Sequence, residues 1–156
     1  MKKAPWKAYL FFLVLTETVG GLAGILTRNG VQAYADLPKS PLTPPDLVFP
    51  IVWTILFALM GIGAALVFLS DAPGKTRALA IFSVQLAVNF AWSLLFFNLQ
   101  AFGFALVWLL LLWVLILWMI VSFYQVRPLA AWLQIPYLLW VTFAAYLNYA
   151  VWALNR

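Results

Sequence analysis

The stretch VWLLLLWVLILWMIV, residues 107–121, decides the fold class of this chain. It contains only apolar residues, without the strict polar and apolar alternation of a membrane β-strand. An α-helix needs about 20 such residues to cross the hydrocarbon core of a bilayer. Because the stretch lies inside a longer apolar run over residues 102–124, it predicts a transmembrane helix.

The composition of the whole chain also indicates a membrane protein. Of its 156 residues, 67% are hydrophobic and 8% are charged, and the mean hydropathy is +1.02. Such a chain has too little polar surface to coat a soluble globule. Several spans would use nearly all of it, so we expect one domain, residues 1–156, with the lipid bilayer as its surroundings.

Five apolar runs have the length of a membrane span. They cover roughly residues 6–26, 47–69, 78–99, 102–124 and 130–154. Only Gln100 and its neighbours separate the third run from the fourth, so these two helices form an antiparallel hairpin. The one long connection covers residues 27–46. The predicted fold class is therefore an all-α membrane protein, a five-transmembrane-helix bundle with one long first loop.

The basic residues predict how the bundle is oriented. The basic N-terminus resembles a signal peptide, but apolar sequence resumes after Glu17, so we expect the first span to be retained. One side of the membrane then carries Lys2, Lys3, Lys7, Lys75, Arg77 and Arg127, and the other carries Arg28, Lys39 and Arg156. The positive-inside rule predicts a cytoplasmic N-terminus, in a bacterial-type cell membrane, and an outward-facing first loop.

Several function classes are disfavoured by the residue types present. The chain has no cysteine and no histidine, so it lacks the side chains of zinc sites, thiol nucleophiles and imidazole bases. Ordinary acid–base or metal catalysis is not expected, and no cofactor or metal is required. The nine Lys and Arg residues are scattered, so we expect no nucleic-acid partner.

The first loop is stiffened by proline. Residues 37–50, LPKSPLTPPDLVFP, contain five prolines, each of which fixes φ and favours an extended residue before it. Two would suffice to end one helix and begin the next, so a simple connector stays an alternative. Five favour a lid of fixed shape over one end of the bundle. The lid residues are Lys39, Pro41, Pro44 and Pro45.

Two spans carry stripes of amides and aromatic rings, which spacings of three and four residues place on one helical face. The third span has Gln85, Asn89, Trp92 and Phe96. The fifth span has Tyr137, Trp140, Ala144, Asn148 and Trp152. Together with Trp53, one turn inside the second span, the stripes predict an aromatic-walled pocket with a few polar groups. For Gln85 and Asn89, hydrogen bonding between helices is an equally good interpretation.

Other residues inside the spans have simpler interpretations, with one exception. Trp108, Trp113 and Trp118 are spaced by five residues and do not share a helical face, so we expect them to face lipid. Glu17 is the exception, because it is the one acidic residue within an apolar run and such residues are functional candidates. Small residues at four-residue spacing, Gly20 with Gly24 and Ala87 with Ala91, indicate close helix packing within the chain or in a dimer.

These features together resemble the TspO/MBR family, the tryptophan-rich translocator proteins related to the peripheral benzodiazepine receptor. The resemblance extends over nearly the whole chain. In the first half it rests on Gly20, Gly21, Gly24, Tyr34, Leu37, Lys39, Thr43, Pro44, Pro45, Pro50, Trp53 and Thr54. In the second half it rests on Gln85, Asn89, Trp92, Phe96, Phe97, Pro136, Tyr137, Trp140, Ala144, Leu147, Asn148, Trp152 and Asn155.

The resemblance implies a pocket beneath the first loop that binds tetrapyrroles such as protoporphyrin IX or haem, and often sterols or isoquinoline and benzodiazepine drugs. It also implies a homodimer. Trp53 and Trp140 correspond to pocket tryptophans implicated in light-dependent porphyrin breakdown in some relatives, which makes them the catalytic candidates. Tyr137, Asn89 and Asn148 correspond to pocket-lining positions. A ligand carboxylate would be attracted to Lys39 at the rim.

The chain departs from the family pattern in the lid and at its C-terminus. Ala33 and Leu42 replace the usual tryptophans and Ser40 replaces a proline, which puts ligand contacts made by the lid in doubt. Six residues separate Tyr149 from Arg156, one more than the sterol-recognition pattern allows. We therefore expect no cholesterol binding.

Three functions stay open, in this order of preference. The first is a membrane receptor, carrier or stress-linked regulator that binds porphyrin-like ligands. The second is an enzyme that oxidises porphyrin in light through a tryptophan radical, and the third is a structural or regulatory partner that acts through helix contacts. The second rests on Trp53 and Trp140 alone.

Overall fold

A computed structural model of the chain describes residues 4–156, and within that range it contains helices and no strands. The helices are α1 (Pro5–Ala35), α2 (Val48–Leu69), α3 (Lys75–Ser93), α4 (Phe102–Val126), α5 (Pro128–Trp132) and α6 (Ile135–Leu154). A π-helical turn, Leu94–Asn98, continues α3. Five spans result, since α5 and α6 together form the last one. The predicted fold class is confirmed, while Lys2 and Lys3, used in the orientation prediction, lie outside the described residues.

The first helix is longer than the sequence predicted, and the first loop is shorter. α1 continues to Ala35, so nearly half of the predicted connection over residues 27–46 is helical. The additional turns lie against the π-helical turn, where Asn98 Nδ2 donates to the Leu26 carbonyl at 2.9 Å. Gly30 lies so close to that turn that a Cβ would overlap its backbone. Tertiary packing therefore extends the helix beyond its apolar run.

The core is formed where α4 packs against α3 and α6. Its buried face consists of Leu109, Leu112, Ile116, Met119 and Phe123, each at most 1% exposed. Their spacing of three and four residues places them on one side of the helix. The opposite side of α4 is apolar and exposed, as expected for a surface in contact with lipid tails.

Two of the three α4 tryptophans contradict the expectation that they face lipid. Trp118 is exposed, but Trp108 and Trp113 are half-buried. The indole N–H of Trp108 donates to the Val88 carbonyl at 2.9 Å, and that of Trp113 donates to Thr142 Oγ1 at 2.8 Å. An unpaired N–H is costly in hydrocarbon, and these two rings turn toward acceptors on α3 and α6.

α1 and α2 are in close contact at the end of the bundle away from the lid. Thr16 Oγ1 donates to the Phe57 carbonyl at 2.7 Å. Gly61 lies opposite Phe12 and Leu13, with no room for a side chain. Gly20 lies against the Phe57 ring in the same way. From this contact toward the lid, the two helices leave space between them.

The last span is broken between α5 and α6, and a buried amide joins the break to α2. Gln134 is completely buried, and its Nε2 donates to the Leu59 carbonyl at 3.0 Å. Gly63 lies directly beside that amide, and a Cβ at this position would overlap it. The Gln134 side chain therefore fixes the position of the last span relative to the second.

Replacing Gly61 by Ala should destabilise the bundle by about 1–3 kcal/mol, the usual cost of overpacking. The added Cβ would lie 2.9 Å from the Phe12 carbonyl oxygen and 3.0 Å from Leu13 Cα. These backbone atoms cannot move without separating α1 from α2. Thermal unfolding in detergent, followed by circular dichroism, would measure the effect.

Gly21→Ala is the matched control, because a Cβ at Gly21 meets nothing within 4 Å. Alanine also favours the helix over glycine, so this variant should unfold at the wild-type temperature or above it. An equal loss of stability in both variants would contradict the close α1–α2 contact.

Candidate functional site

A cavity of about 510 Å³ lies between α1, α2, α3 and α6 at the lid end of the bundle. Its volume is in the range typical of small-molecule sites. Eight aromatic side chains contribute to its wall: Tyr34, Phe49, Trp53, Phe57, Trp92, Phe96, Phe97 and Trp140. A shallower groove near Trp6 and Val14 follows the outer face of α1, but it is open to lipid and has no enclosing wall.

Seven of the nine predicted ligand-binding residues line this cavity. They are Trp53, Asn89, Trp92, Phe96, Trp140, Ala144 and Asn148. The other two, Gln85 and Tyr137, are completely buried and lie behind the wall. The structure thus brings the two predicted stripes together with Trp53, and it removes Gln85 and Tyr137 from direct contact with the cavity.

A chain of hydrogen bonds explains why those two residues are buried. Asn89 Nδ2 donates to the Tyr137 hydroxyl at 2.6 Å, and that hydroxyl donates to Gln85 Oε1 at 2.7 Å. Gln85 Nε2 in turn lies 3.7 Å from Met60 Sδ. The chain joins α2, α3 and α6 and holds the Asn89 amide at the cavity wall. Interhelical bonding is therefore the role of Gln85, whereas Asn89 both bonds and lines the cavity.

A second polar link lies nearer the lid. Trp92 Nε1 donates to Asn148 Oδ1 at 3.1 Å, and Asn148 Nδ2 donates to the Phe102 carbonyl at 2.9 Å. The Trp92 ring also stacks on Phe96, with ring centroids 5.2 Å apart. This part of the wall is consequently held by α3, α4 and α6 together.

The π-helical turn places two successive phenylalanines in the wall. Phe96 and Phe97 both line the cavity, although successive residues of an α-helix point about 100° apart. Their ring centroids are 4.9 Å apart, and Phe97 lies 5.6 Å from the Tyr34 ring. π-Helical turns often occur at functional sites, but no pattern in the sequence predicted this one.

The wall contributed by α1 was missing from the predicted site. It consists of small residues with a few larger ones: Glu17, Gly20, Gly21, Ala23, Gly24, Thr27, Val31 and Tyr34. The glycines at four-residue spacing were the available signal, and they leave space for a ligand here. A Cβ at Gly24 would meet nothing within 4 Å.

The mouth of the cavity lies between α1 and α2. Gly21 and Gly24 on α1, and Pro50 and Thr54 on α2, line the cavity and are also exposed on the surface. Since both helices span the membrane, this opening faces the lipid. A hydrophobic molecule dissolved in the bilayer can reach the aromatic wall through it.

The predicted lid residues Lys39, Pro41, Pro44 and Pro45 lie outside the set that lines the cavity. Lys39 Nζ donates to the carbonyls of Tyr34, Ala35 and Leu37 at 3.2, 2.9 and 3.3 Å, which caps the C-terminal end of α1. It also lies 4.8 Å from the centre of the Tyr34 ring. Lys39 therefore holds the end of α1, and its expected role as an attractor of ligand carboxylates at the rim stays a prediction.

The lid is attached by one hydrogen bond to α6 and by another to Asn155, which directly follows α6. Ser40, which replaces the usual proline, is buried, and its Oγ lies 2.7 Å from the Tyr146 hydroxyl. Asn155 Nδ2 donates to the Pro38 carbonyl at 3.0 Å. Ala33 and Leu42 are exposed and do not line the cavity. The missing tryptophans at these positions thus leave the cavity wall intact.

The two catalytic candidates lie on different helices and face the same cavity. The Trp53 ring is 5.6 Å from Phe57 and 6.3 Å from Tyr137, and the Trp140 ring is 5.8 Å from Phe49. Trp140 Nε1 is buried and has no hydrogen-bond partner within residues 4–156. An unpaired buried donor is unusual in a folded protein.

Comparison with known proteins gives a consistent result. The model of the TspO/MBR family matches residues 12–153. The chain is 38% identical to the human translocator protein over 97% of its own length and 92% of that protein. It is 41% identical to the tryptophan-rich protein TspO of Chlorobaculum tepidum over 78% of both chains. It is 32% identical to the tryptophan-rich sensory protein of Cereibacter sphaeroides over 96% of its length and 92% of that protein.

Replacing Tyr137 by Phe should lower stability by about 1–3 kcal/mol, because it leaves two buried groups without a partner, the Asn89 amide N–H and the Gln85 carbonyl. Tyr149→Phe, at an exposed tyrosine of the same helix, should change little. Thermal unfolding in detergent would compare the two. Equal stability of both variants would show that the hydrogen-bond chain does not hold the wall.

Proposed function

Because the chain belongs to the TspO/MBR family, we propose that this integral membrane protein binds tetrapyrroles such as protoporphyrin IX or haem, as their receptor, carrier or stress-linked regulator. The observation that carries the proposal is the aromatic cavity beneath the lid. A flat macrocycle stacks favourably on aromatic faces, and here the rings come from four helices and surround one space.

The location of the mouth also favours a hydrophobic ligand. The lid is bonded to α6, whereas the opening between α1 and α2 is lined by exposed residues of two membrane spans. A tetrapyrrole partitions into lipid and would approach from there. A receptor or carrier needs only this reversible access, without any catalytic group.

The test is a titration of the detergent-solubilised protein with protoporphyrin IX in the dark, followed by quenching of tryptophan fluorescence. We expect saturable quenching and a dissociation constant in the micromolar range or below. Trp140→Phe should weaken binding by about tenfold, because the smaller ring reduces the surface on which the macrocycle can stack.

Trp118→Phe is the matched control, since this tryptophan is on the outer face of α4. It should reduce the total fluorescence and leave the dissociation constant unchanged. Linear quenching without saturation in all three proteins would overturn the proposal.

A second candidate function is light-dependent degradation of the bound porphyrin. It is favoured by the position of Trp53 and Trp140 in one cavity wall, where a radical formed on either ring would lie beside the macrocycle. Illumination of the protein with protoporphyrin IX should then bleach the porphyrin absorbance, and the Trp53→Phe/Trp140→Phe double variant should bleach it much more slowly.

That comparison must be made with the porphyrin bound to the same extent in both proteins, which the dark titration establishes. Equal bleaching rates at equal occupancy would exclude a tryptophan radical and leave the receptor or carrier role. The homodimer, the bacterial-type membrane and the cytoplasmic N-terminus stay predictions. Of the small residues suggested for a dimer, Gly20 packs within the chain and Ala87 is exposed on α3.

A further inference from the structure

A shallow groove runs along the outer face of α1. Lys7 lies at one end of it and Thr18 at the other. The rest of its lining is apolar and consists of Trp6, Leu10, Phe11, Val14 and Leu15. Most of these positions recur at spacings of three and four residues, which places them on one face of the helix. Because α1 spans the membrane and Leu10, Phe11 and Val14 are each more than half exposed, the groove is in contact with lipid.

The groove has the length of one leaflet of the bilayer. From Lys7 to Thr18, α1 rises about 16 Å at about 1.5 Å per residue, and half of a hydrocarbon core measures about 15 Å. The hydrogen bond from Thr16 Oγ1 to the Phe57 carbonyl places the Thr18 end near mid-membrane, since Phe57 lies close to the middle of α2. The groove therefore extends from one membrane surface to the bilayer centre, as an acyl chain of one leaflet does.

The end of the bundle where the groove reaches the membrane surface is basic. α1, α3 and the last span begin there, and α2 and α4 end there, because successive spans alternate in direction. Among the described residues, the basic side chains at this end are Lys7, Lys75, Arg77 and Arg127, and the one acidic side chain is Asp71. An anionic headgroup is therefore attracted to this side of the membrane.

Lys7 and Trp6 are positioned to contact such a headgroup. Lys7 is exposed, and its Nζ lies 5.8 Å from the centre of the Trp6 ring. Its ammonium has no hydrogen-bond or ion-pair partner among residues 4–156, so its N–H donors are available to a phosphate. Tryptophan is enriched at the headgroup level of membranes, and Trp6 is 60% exposed. The two residues thus provide a charge and an interfacial ring at the surface end of the groove.

We propose that the groove binds an anionic phospholipid, with its phosphate at Lys7 and one acyl chain lying along the apolar lining toward Thr18. Such a lipid supplies a negative group at the membrane surface and a chain of one leaflet's length. A zwitterionic phospholipid offers the same chain, but its headgroup is neutral overall and gains less from the basic end of the bundle. The site is separate from the aromatic cavity, because the two linings share no residue.

The experiment is native mass spectrometry of the full chain in an uncharged detergent. Phosphatidylglycerol and phosphatidylcholine with the same acyl chains are added in equal amounts, and the ratio of the two lipids retained by the protein is measured. We expect the wild type to retain phosphatidylglycerol in preference. Lys7→Gln should lower the ratio by about fivefold, the factor expected for one basic side chain beside an anionic lipid surface. Lys7→Arg, which keeps the charge, should keep the preference.

Arg28→Gln is the matched control for charge. Arg28 is exposed on the same helix and lies outside the groove. Its replacement removes one positive charge and should leave the retained ratio at the wild-type value. If Lys7→Gln also retains the two lipids in the wild-type ratio, no anionic headgroup is bound at Lys7 and the proposal is overturned.

A second pair of variants tests the apolar part of the groove. Val14→Trp should fill the groove and lower the amount of phosphatidylglycerol retained. Val107→Trp, at an exposed valine on the outer face of α4, should leave that amount unchanged. Both valines are more than half exposed, so neither substitution disturbs a packed core.

Two results with these variants would contradict the proposal. If Val14→Trp retains as much phosphatidylglycerol as Val107→Trp, no acyl chain lies in the groove. If Val14→Trp shifts the protein from dimer to monomer in the same spectra and leaves lipid retention unchanged, a second copy of the chain covers the groove instead. Thermal unfolding in detergent checks the fold. Should Val14→Trp unfold at a lower temperature than the wild type, Val14→Phe makes the same test with a smaller ring.

Discussion

Pairing of polar groups inside the bilayer is the constraint on which the rest of this structure depends. A donor or acceptor without a partner in hydrocarbon costs several kcal/mol, which favours bonds between buried polar side chains of different helices. Thr16 links α1 to α2, Gln134 links α2 to the last span, and the bonds between Gln85, Tyr137 and Asn89 link α3 to α6. Since lipid tails provide little hydrophobic drive for helix association, these bonds and close glycine contacts fix how the helices are arranged.

The same contacts explain why the cavity lies at one end of the bundle. α1 and α2 are held together around Gly61 and Thr16, and toward the lid their facing residues include Gly21 and Gly24, which fill no space. The π-helical turn adds the rings of Phe96 and Phe97 to the wall. The cavity is therefore the consequence of firm packing at one end and small residues at the other.

What the sequence does not predict is clearest for Gln85 and Asn89, which follow the same spacing but occupy different places in the structure. The five spans follow from apolar length alone, and the three- and four-residue spacings identify six wall residues, to which the position of Trp53 adds a seventh. Gln85 and Asn89 share one face of α3, yet Asn89 reaches the cavity and Gln85 is covered by α2 and α6. Residue spacing predicts which face of a helix a side chain is on. It does not predict which residues of that face a neighbouring helix buries, because that depends on how closely the two helices pack. The extended α1 and the second wall phenylalanine, Phe97, likewise depend on a π-helical turn that no local signal predicts.

The unusual lid supports an assignment of recognition to the helices. Ala33 and Leu42 replace tryptophans of the family pattern, yet both side chains are exposed and outside the cavity. Ser40 replaces a proline and gains a bond to Tyr146, so one source of lid rigidity is exchanged for another. Lys39, the one basic residue predicted at the rim, holds the end of α1. Because none of the predicted lid residues lines the cavity, a ligand there would contact chiefly the aromatic walls that the helices provide.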